Sequence, residues 1–278
     1  MTETIHIFDE FANLGDEMTP ELRHRKRTQT EHLVYDVLKA KYMPRFNEYW
    51  NTCKIPSQPD SSGCIVLTER RIHPNLEFVL KNAAYYARGW SILIHCSDIN
   101  YEYCKSLLGP HKDSIQVHIS FTGNPSREQG IAEYNLFLGS SDFYTTIQTP
   151  NIVIMEMDTY FRKPIPPSFF QYDFIGAPFS WDESSMGGGL NFRKRDSMRK
   201  ITESFPPSPM PNDMYTCNAC KTLGMKIPSF EEGLTFFVES CLYEDPVGVH
   251  QWWTFFDPSL EDADLIFHSL LTCEEIVL

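Results

Sequence analysis

Hydrophobic residues in the first part of the chain recur at helical spacing. Between residues 21 and 51 they return every three to four positions, a spacing typical of an amphipathic helix that lies on a core. The segment Thr19-Pro20-Glu21 predicts where this helix begins, because it supplies a capping hydroxyl, a first-turn proline and an acid suited to the helix dipole. Pro44 lies inside the helix and predicts a kink there. The repeating positions are Val34, Leu38, Tyr42, Phe46 and Tyr49.

A different pattern begins after a linker rich in proline and serine, residues 55–63. Short apolar runs alternate with segments of helical periodicity. Continuous apolar strands joined by helices predict a parallel sheet covered on both faces, with Rossmann-like crossovers. The predicted strands are 64–68, 91–96, 115–120 and 152–155, and the predicted helices between them are 75–87, 100–108 and 127–138.

The second half of the chain is less regular and richer in proline and glycine. Strands are expected at 174–178 and 189–193, and helices at 196–205 and 212–223. We interpret these as a further layer on the same sheet. The predicted organisation is an arm and helix over residues 1–61 followed by one α/β domain, residues 62–278, with halves 62–160 and 161–278.

Composition narrows the class of protein. The 278 residues are 42% hydrophobic and 22% charged, which is typical of a globular chain. A net charge of −13 argues against a nucleic-acid surface, because binding to a phosphate backbone depends on lysine and arginine. No run approaches a membrane span, and residues 1–20 lack the features of a signal peptide. Eight scattered cysteines indicate reduced thiols, so a cytoplasmic location is expected.

The segment 151–158 carries the strongest chemical signal. A short apolar run ends in Glu156 and Asp158, and alternation along the strand would place both carboxylates on one side. Ligands of open α/β sheets bind at the carboxyl ends of strands. Two oxygen ligands there suit a divalent cation that carries a diphosphate. The alternative is a solvated strand end, which acid-x-acid often marks by chance.

The segment after the first strand is a second candidate. Arg71 could pair with a diphosphate, and Thr68 or Glu69 could bond a base or ribose. A solvated strand end explains the same residues equally well. No Gly-x-Gly-x-x-Gly follows this strand, which disfavours a dinucleotide-dependent oxidoreductase.

Three glycines, Gly187, Gly188 and Gly189, lie about thirty residues after Asp158. They permit positive φ and a close approach of backbone amides to a ligand, or they form a flexible turn. The residues before them, 180–185, combine Trp181 with polar side chains in the manner of a lid.

Three further residues each allow two interpretations. Asp213, at an expected helix start, is a helix cap or a general base. His250 follows a glycine and precedes Trp252, so it is a core histidine or part of a Mn²⁺ shell beside an aromatic site wall. The pair Cys217 and Cys220 lacks the further ligands that zinc needs, so two buried helical thiols are expected.

Taken in order, these segments resemble a family of glycosyltransferase-like proteins found in bacteria, plants and large DNA viruses of algae. The resemblance covers roughly residues 62–255. The segments that carry it are Thr68-Glu69 with Arg71, Glu156-x-Asp158, 173–178, 187–190, Asn212-Asp213, 237–240 and 248–250.

The resemblance implies a GT-A-like fold that uses a UDP-sugar and Mn²⁺ or Mg²⁺. Asp158 and His250 would hold the metal, Glu156 would face ribose or sugar, and Asp213 would be the base of an inverting transfer to a glycan hydroxyl. Family members from algal viruses are similar to enzymes that build capsid-protein glycans in the host cytosol, including a xylosyltransferase. The glycine segment would contact the donor, and Trp181 and Trp252 the acceptor. The alternatives are a sugar-binding module without turnover and a metal-dependent nucleotidyltransferase.

Overall fold

The structure is a computed structural model that describes residues 19–259 and 262–276. The first element is helix α1, Pro20–Thr52, which continues through Pro44. Thr19 caps it as predicted, with its hydroxyl accepting a hydrogen bond from Leu22 N at 3.3 Å. The expected N-terminal arm up to residue 18 lies outside the described residues. The buried face of α1 consists of Val34, Tyr35, Leu38, Tyr42, Phe46 and Trp50.

The elements that follow α1 match the alternation expected from the sequence. The strands are β1 Gly63–Thr68, β2 Ser91–Ser97, β3 Gln116–Phe121, β4 Asn151–Met155, β5 Thr159–Phe161, β6 Phe174–Phe179, β7 Asp182–Lys194, β8 Phe237–Val238 and β9 Gly248–His250. The helices are α2 Leu76–Tyr86, α3 Tyr101–Ser106, α4 Arg127–Leu138, α5 Ser141–Thr145, α6 Arg195–Ser204, α7 Asn212–Thr222, α8 Phe230–Phe236 and α9 Ala263–Leu270. Short 3₁₀ helices occur at Gln58–Asp60, Gly109–His111, Pro167–Gln171 and Trp252–Thr254.

Six strands form the central sheet in the order β3-β2-β1-β4-β7-β6. The first four strands are parallel, and β7 and β6 are antiparallel to their neighbours. Every residue of β1 and of β2 is buried, which is why their sequences read as continuous apolar runs. The predicted fold class is confirmed: an α/β protein whose mostly parallel sheet is flanked by helices.

Strand β7 differs from the prediction. We expected a strand at 189–193 preceded by glycines outside it, but one strand runs through all thirteen residues of Asp182–Lys194. The triple glycine therefore lies in mid-strand, and the polar segment around Trp181 joins β6 to β7. A Cβ on Gly176 would lie 2.7 Å from Gly187 N, so glycine permits close pairing of these strands.

A second, three-stranded sheet has the order β5-β9-β8. It places the turn after β4 beside the end of β9, as described below. All eight cysteines are free, and Cys217 and Cys220 are buried on α7 as predicted. Across residues 19–259 and 262–276, no helix combines the length and apolar character needed to cross a membrane.

Candidate active site

A cavity of about 800 Å³ lies at the carboxyl ends of β1 and β4. The chain proceeds from β1 to β2 and β3 on one side and then returns to β4 on the other side of β1. Adjacent strands whose connections leave in opposite directions form the crevice in which open α/β sheets bind ligands. The cavity is lined by nine of the twelve residues selected from the sequence: Thr68, Glu69, Arg71, Glu156, Asp158, Gly188, Gly189, Asp213 and His250.

The central cluster of the cavity is built by the pairing of short strands. Glu156 and Asp158 lie in the turn between β4 and β5, where Thr159 N donates to Glu156 O at 3.2 Å. Antiparallel pairing of β5 with β9 sets Thr159 opposite His250, next to Asp158. Strand β8 runs parallel to β9, with Val238 opposite Val249, so Glu239 emerges beside His250.

Three side chains in this cluster could hold a metal ion. One ligand atom from each of Glu156, Asp158 and His250 lies within 4.8 Å of the others. His250 Nε2 is 3.3 Å from Asp158 Oδ1 and 4.0 Å from Glu156 Oε2. The strand pattern suggested Glu156 and Asp158 as oxygen ligands, the family resemblance implied Asp158 and His250, and all three side chains lie together in the structure.

The environment of His250 fits a metal ligand. Its Nε2 is buried and makes no hydrogen bond of good geometry with any residue in the described part of the chain. Its Nδ1 is 3.2 Å from Glu239 Oε2 and 3.0 Å from Gly189 N. An imidazole whose second nitrogen faces a carboxylate is the usual arrangement of a metal-bound histidine. Two carboxylates and one imidazole suit Mn²⁺ or Mg²⁺.

The charged groups of the cluster strongly affect each other's pKa. Burial acts to raise the pKa of Asp158, but His250 and Arg27 outweigh it and hold that pKa well below its usual range. Burial and the neighbouring Asp158 raise the pKa of Glu156. Burial acts to lower the pKa of His250, but Glu239 and Asp158 raise it well above its usual range. In the metal-free cluster these shifts favour an ionised Asp158 carboxylate beside His250.

Each of the three glycines in β7 makes room for a different acid. A Cβ on Gly187 would overlap the carboxylate of Asp213, and one on Gly188 would lie 2.8 Å from Glu239 Oε2. A Cβ on Gly189 would lie 2.7 Å from Glu156 Oε2. Gly188 also has a φ of +95°, which side-chain-bearing residues rarely adopt. The glycine segment thus contacts the acidic side chains, and Gly188 and Gly189 line the cavity.

At the end of β1, Glu69 organises the loop that follows. Its Oε1 accepts hydrogen bonds from the backbone N–H groups of Arg70 and Arg71, each at 2.8 Å. Its Oε2 is 2.8 Å from Arg71 Nη2, although the Arg71 side chain is 72% exposed. The buried hydroxyl of Thr68 has no hydrogen-bond partner in the described part of the chain. This end of the cavity thus presents a free hydroxyl and a carboxylate already engaged by the loop.

Asp213 lies in the first turn of α7 and does not cap it, since the N-cap position is Pro211. Its Oδ2 accepts a hydrogen bond from Gly188 N at 2.5 Å. Asp213 also lines the cavity.

The two tryptophans expected at an acceptor site occupy different environments. Trp181 is 59% exposed and stacks on Phe179 with ring centroids 4.6 Å apart. Phe179 in turn lies beside Gly187, near Asp213. Trp252 is instead fully buried, and its indole N–H donates to Tyr160 Oη at 2.9 Å. The predicted role of Trp252 as an acceptor contact is therefore corrected: its ring packs in the core, where aromatic neighbours exclude it from the cavity wall.

Sequence reasoning missed the contribution of α1 to the cavity. Arg27 Nη2 is 2.5 Å from Asp158 Oδ2, and Glu31 lines the cavity one turn later. Helix α4 adds Tyr134, whose hydroxyl donates to Glu156 Oε1 at 2.7 Å. The sequence contains no signal for Arg27: Lys26 and Thr30 are buried on the same part of α1, but neither residue is apolar, so the hydrophobic pattern does not reach this turn.

Residues 119–250, just under half of the chain, match a family described as "Protein of unknown function (DUF5672)". This segment contains Glu156, Asp158, Asp213, Glu239 and His250. No curated protein sequence matches the chain.

Two solved structures with similar folds are glycosyltransferases. One is the mannosyltransferase PcManGT from Pyrobaculum calidifontis in complex with GDP-Man and Mn²⁺, at 11% identity and a TM-score of 0.44 over 72% of this chain and 66% of that one. The other is the apo form of the glycosyltransferase GlyE of Streptococcus pneumoniae TIGR4, at 8% identity and a TM-score of 0.46 over 76% of this chain and 61% of that one. This chain thus spans less than two thirds of the length of either protein.

Proposed function

We propose that this protein is a metal-dependent glycosyltransferase that moves a sugar from a nucleotide-sugar donor to a glycan hydroxyl. The observation that carries the proposal is the cluster of Glu156, Asp158 and His250 on the cavity wall. The cluster includes a buried imidazole nitrogen that makes no hydrogen bond of good geometry with a described residue, and it lies at the switch point of the sheet. Hard oxygen ligands at such a crevice suit a cation that carries a diphosphate.

The donor would lie across the ends of β1 and β4. The free Thr68 hydroxyl and the Glu69 loop support a nucleoside contact there, and the cluster after β4 supports a diphosphate contact. The family resemblance favours a UDP-sugar, with UDP-xylose as the first donor to test and viral capsid-glycan synthesis as the context. The similar mannosyltransferase structure holds GDP-Man, so GDP-mannose belongs in the same donor panel.

A divalent cation bound by the cluster would neutralise charge on the departing diphosphate. The chain's own residues would position the acceptor and move its proton. Asp213 is held beside Gly188 through its Oδ2 and lines the cavity, where its carboxylate would take the proton of an acceptor hydroxyl as that hydroxyl oxygen attacks the anomeric carbon. Attack from the face opposite the leaving diphosphate inverts the configuration. The exposed Trp181 ring beside this position supports stacking of an acceptor sugar.

Donor hydrolysis and transfer, measured with and without Mn²⁺, test the proposal. Asp158→Asn should abolish Mn²⁺-dependent UDP binding and turnover while the fold is retained, because it removes one carboxylate ligand. Asp142→Asn, at an exposed position outside the cavity, is the matched control. Unchanged Mn²⁺-dependent activity in the Asp158 variant would refute the metal assignment, and donor binding without turnover would identify a sugar-binding module.

Asp213→Asn tests the base and the stereochemistry. Loss of a general base lowers kcat by about 10²–10⁴-fold with little change in donor affinity. NMR of the product made from an α-linked donor should show a β-linkage. An α-linked product would refute inversion, and an active Asp213→Asn enzyme would refute the role of that carboxylate.

A further inference from the structure

Asp158 lies between the side chains of Arg27 and His250. Its Oδ2 is 2.5 Å from Arg27 Nη2, and its Oδ1 is 3.3 Å from His250 Nε2. Arg27 therefore neutralises a carboxylate that a divalent cation would bind. A metal that takes Asp158 must compete with this ion pair.

The backbone that carries Arg27 is held in place. Lys26 Nζ donates to Phe256 O at 3.0 Å, and Tyr35 Oη donates to Thr159 O at 3.1 Å. The Tyr35 ring is buried against Phe78 and Trp253. The Arg27 side chain, by contrast, is 37% exposed. Rotation of this side chain, without movement of the helix, can therefore take the guanidinium from Asp158 into the cavity.

Three other arginines that line the cavity, Arg70, Arg71 and Arg193, have partners away from the metal cluster, and a fourth, Arg127, is exposed at the start of α4. Arg71 pairs with Glu69, and Arg70 pairs with Glu133. Arg193 donates to Tyr144 and Asn191. Among the cavity arginines for which the described residues supply an ion pair, Arg27 pairs with a carboxylate of the metal cluster. A metal that binds Asp158 would therefore release the Arg27 guanidinium close to the position of the donor diphosphate.

We infer that Arg27 is a donor-binding residue that exchanges partners, holding Asp158 in the metal-free protein and the donor diphosphate once a divalent cation has taken Asp158. The inference rests on the proposed function. Guanidinium suits both partners because its planar donors match carboxylate and phosphate oxygens. In the exchange, Arg27 loses the carboxylate of Asp158 and gains the diphosphate. The acids of the cluster face a positive charge in both states: Arg27 without the metal, and the metal ion once it is bound.

The exchange predicts opposite effects of one substitution on two affinities. In Arg27→Gln, titration with Mn²⁺ alone should show binding about fivefold tighter, because the competing ion pair is gone. Titration with UDP at saturating Mn²⁺ should show binding about tenfold weaker, because a charge-assisted hydrogen bond to phosphate is lost. Arg25→Gln removes the same charge from an exposed position on the same helix and should change neither affinity.

Calorimetric titrations of the full chain separate the outcomes. Both affinities weakened, or both unchanged, would overturn the inference, as would tighter Mn²⁺ binding with unaltered UDP binding. Arg27→Lys keeps the charge and should give affinities for both ligands between those of the wild type and Arg27→Gln. It provides the same test if the glutamine variant folds poorly. Absence of Mn²⁺ binding by the unsubstituted protein would instead refute the proposed function.

Discussion

Substitution of Gly189 by alanine should disturb the metal cluster although none of its candidate ligands is replaced. The added Cβ would lie 2.7 Å from Glu156 Oε2, 2.8 Å from its Cδ and 2.9 Å from its Cβ. The backbone cannot easily yield, because Glu156 N donates to Gly189 O at 2.9 Å. The Glu156 side chain must therefore turn away from Tyr134 and His250.

The expected cost follows from these contacts. Overpacking in a tight site costs about 1–3 kcal/mol, and loss of the hydrogen bond from Tyr134 to a carboxylate costs about 1.5 kcal/mol or more. Alanine recovers about 0.4–1 kcal/mol by restricting the unfolded chain. We expect the free energy of unfolding to fall by about 2–4 kcal/mol, together with weaker Mn²⁺ binding, since Glu156 leaves the cluster.

Denaturant unfolding in EDTA and calorimetric Mn²⁺ titration measure the two effects. Gly130→Ala is the matched control, because its Cβ would lie 3.6 Å from Pro125 Cγ in ordinary contact, and a helical alanine stabilises by about 0.5–1 kcal/mol. In a Glu156→Ala background the Gly189 substitution should cost at least about 1 kcal/mol less. The steric reasoning would be refuted if the effects of the Gly189 and Glu156 substitutions on stability were additive. It would also be refuted if Gly189→Ala kept the stability and the Mn²⁺ affinity of the wild type.

Two other predictions concern the cavity wall and the core. Burial, with a contribution from Asp158, raises the pKa of Glu31 from 4.5 to about 7, so the folded protein holds this proton more tightly than the unfolded chain. The resulting stabilisation is complete below pH 4.5 and is lost as pH rises through 7. Between pH 4.5 and 7 the free energy of unfolding of the metal-free wild type should therefore fall by up to about 3 kcal/mol relative to that of Glu31→Gln. Unfolding free energies of the two proteins that change in parallel with pH would contradict this. Trp252→Phe should lower the free energy of unfolding by about 1–3 kcal/mol through loss of the hydrogen bond to Tyr160, with the KM for the acceptor unchanged. A changed KM at normal stability would instead indicate that Trp252 contacts the acceptor.

The fold was largely predictable because its central strands are buried on both faces. The apolar runs at β1, β2 and β4 need no long-range information to be recognised. The same runs located the site, since the polar residues that follow β1 and β4 must meet at one edge of a parallel sheet. The predicted start of β7 was wrong because consecutive glycines are typical of a turn. Their presence in mid-strand is explained by their pairing with β6 and by their proximity to the acids.

The side chains that complete the site could not be predicted in the same way. Arg27 precedes Asp158 by 131 positions and meets it only because α1 packs against α2 and against the 3₁₀ helix Trp252–Thr254. Glu239 reaches His250 through a strand of two residues, too short to give a periodic signal. Trp252 lies two residues after His250, yet its ring packs in the core, because the intervening Gln251 has a φ of +30° that redirects the chain.

The wide sequence separation between Arg27 and Asp158 also affects how the protein matures. Glu156 and Asp158 come from the middle of the chain, His250 and Glu239 from its last fifth, and Arg27 from its beginning. Contacts between segments so far apart form late, after the entropy of closing long loops has been overcome. A ribosome-bound or partly degraded chain would therefore lack the complete candidate cation site. A metal that binds the native state alone would stabilise fully folded molecules by mass action.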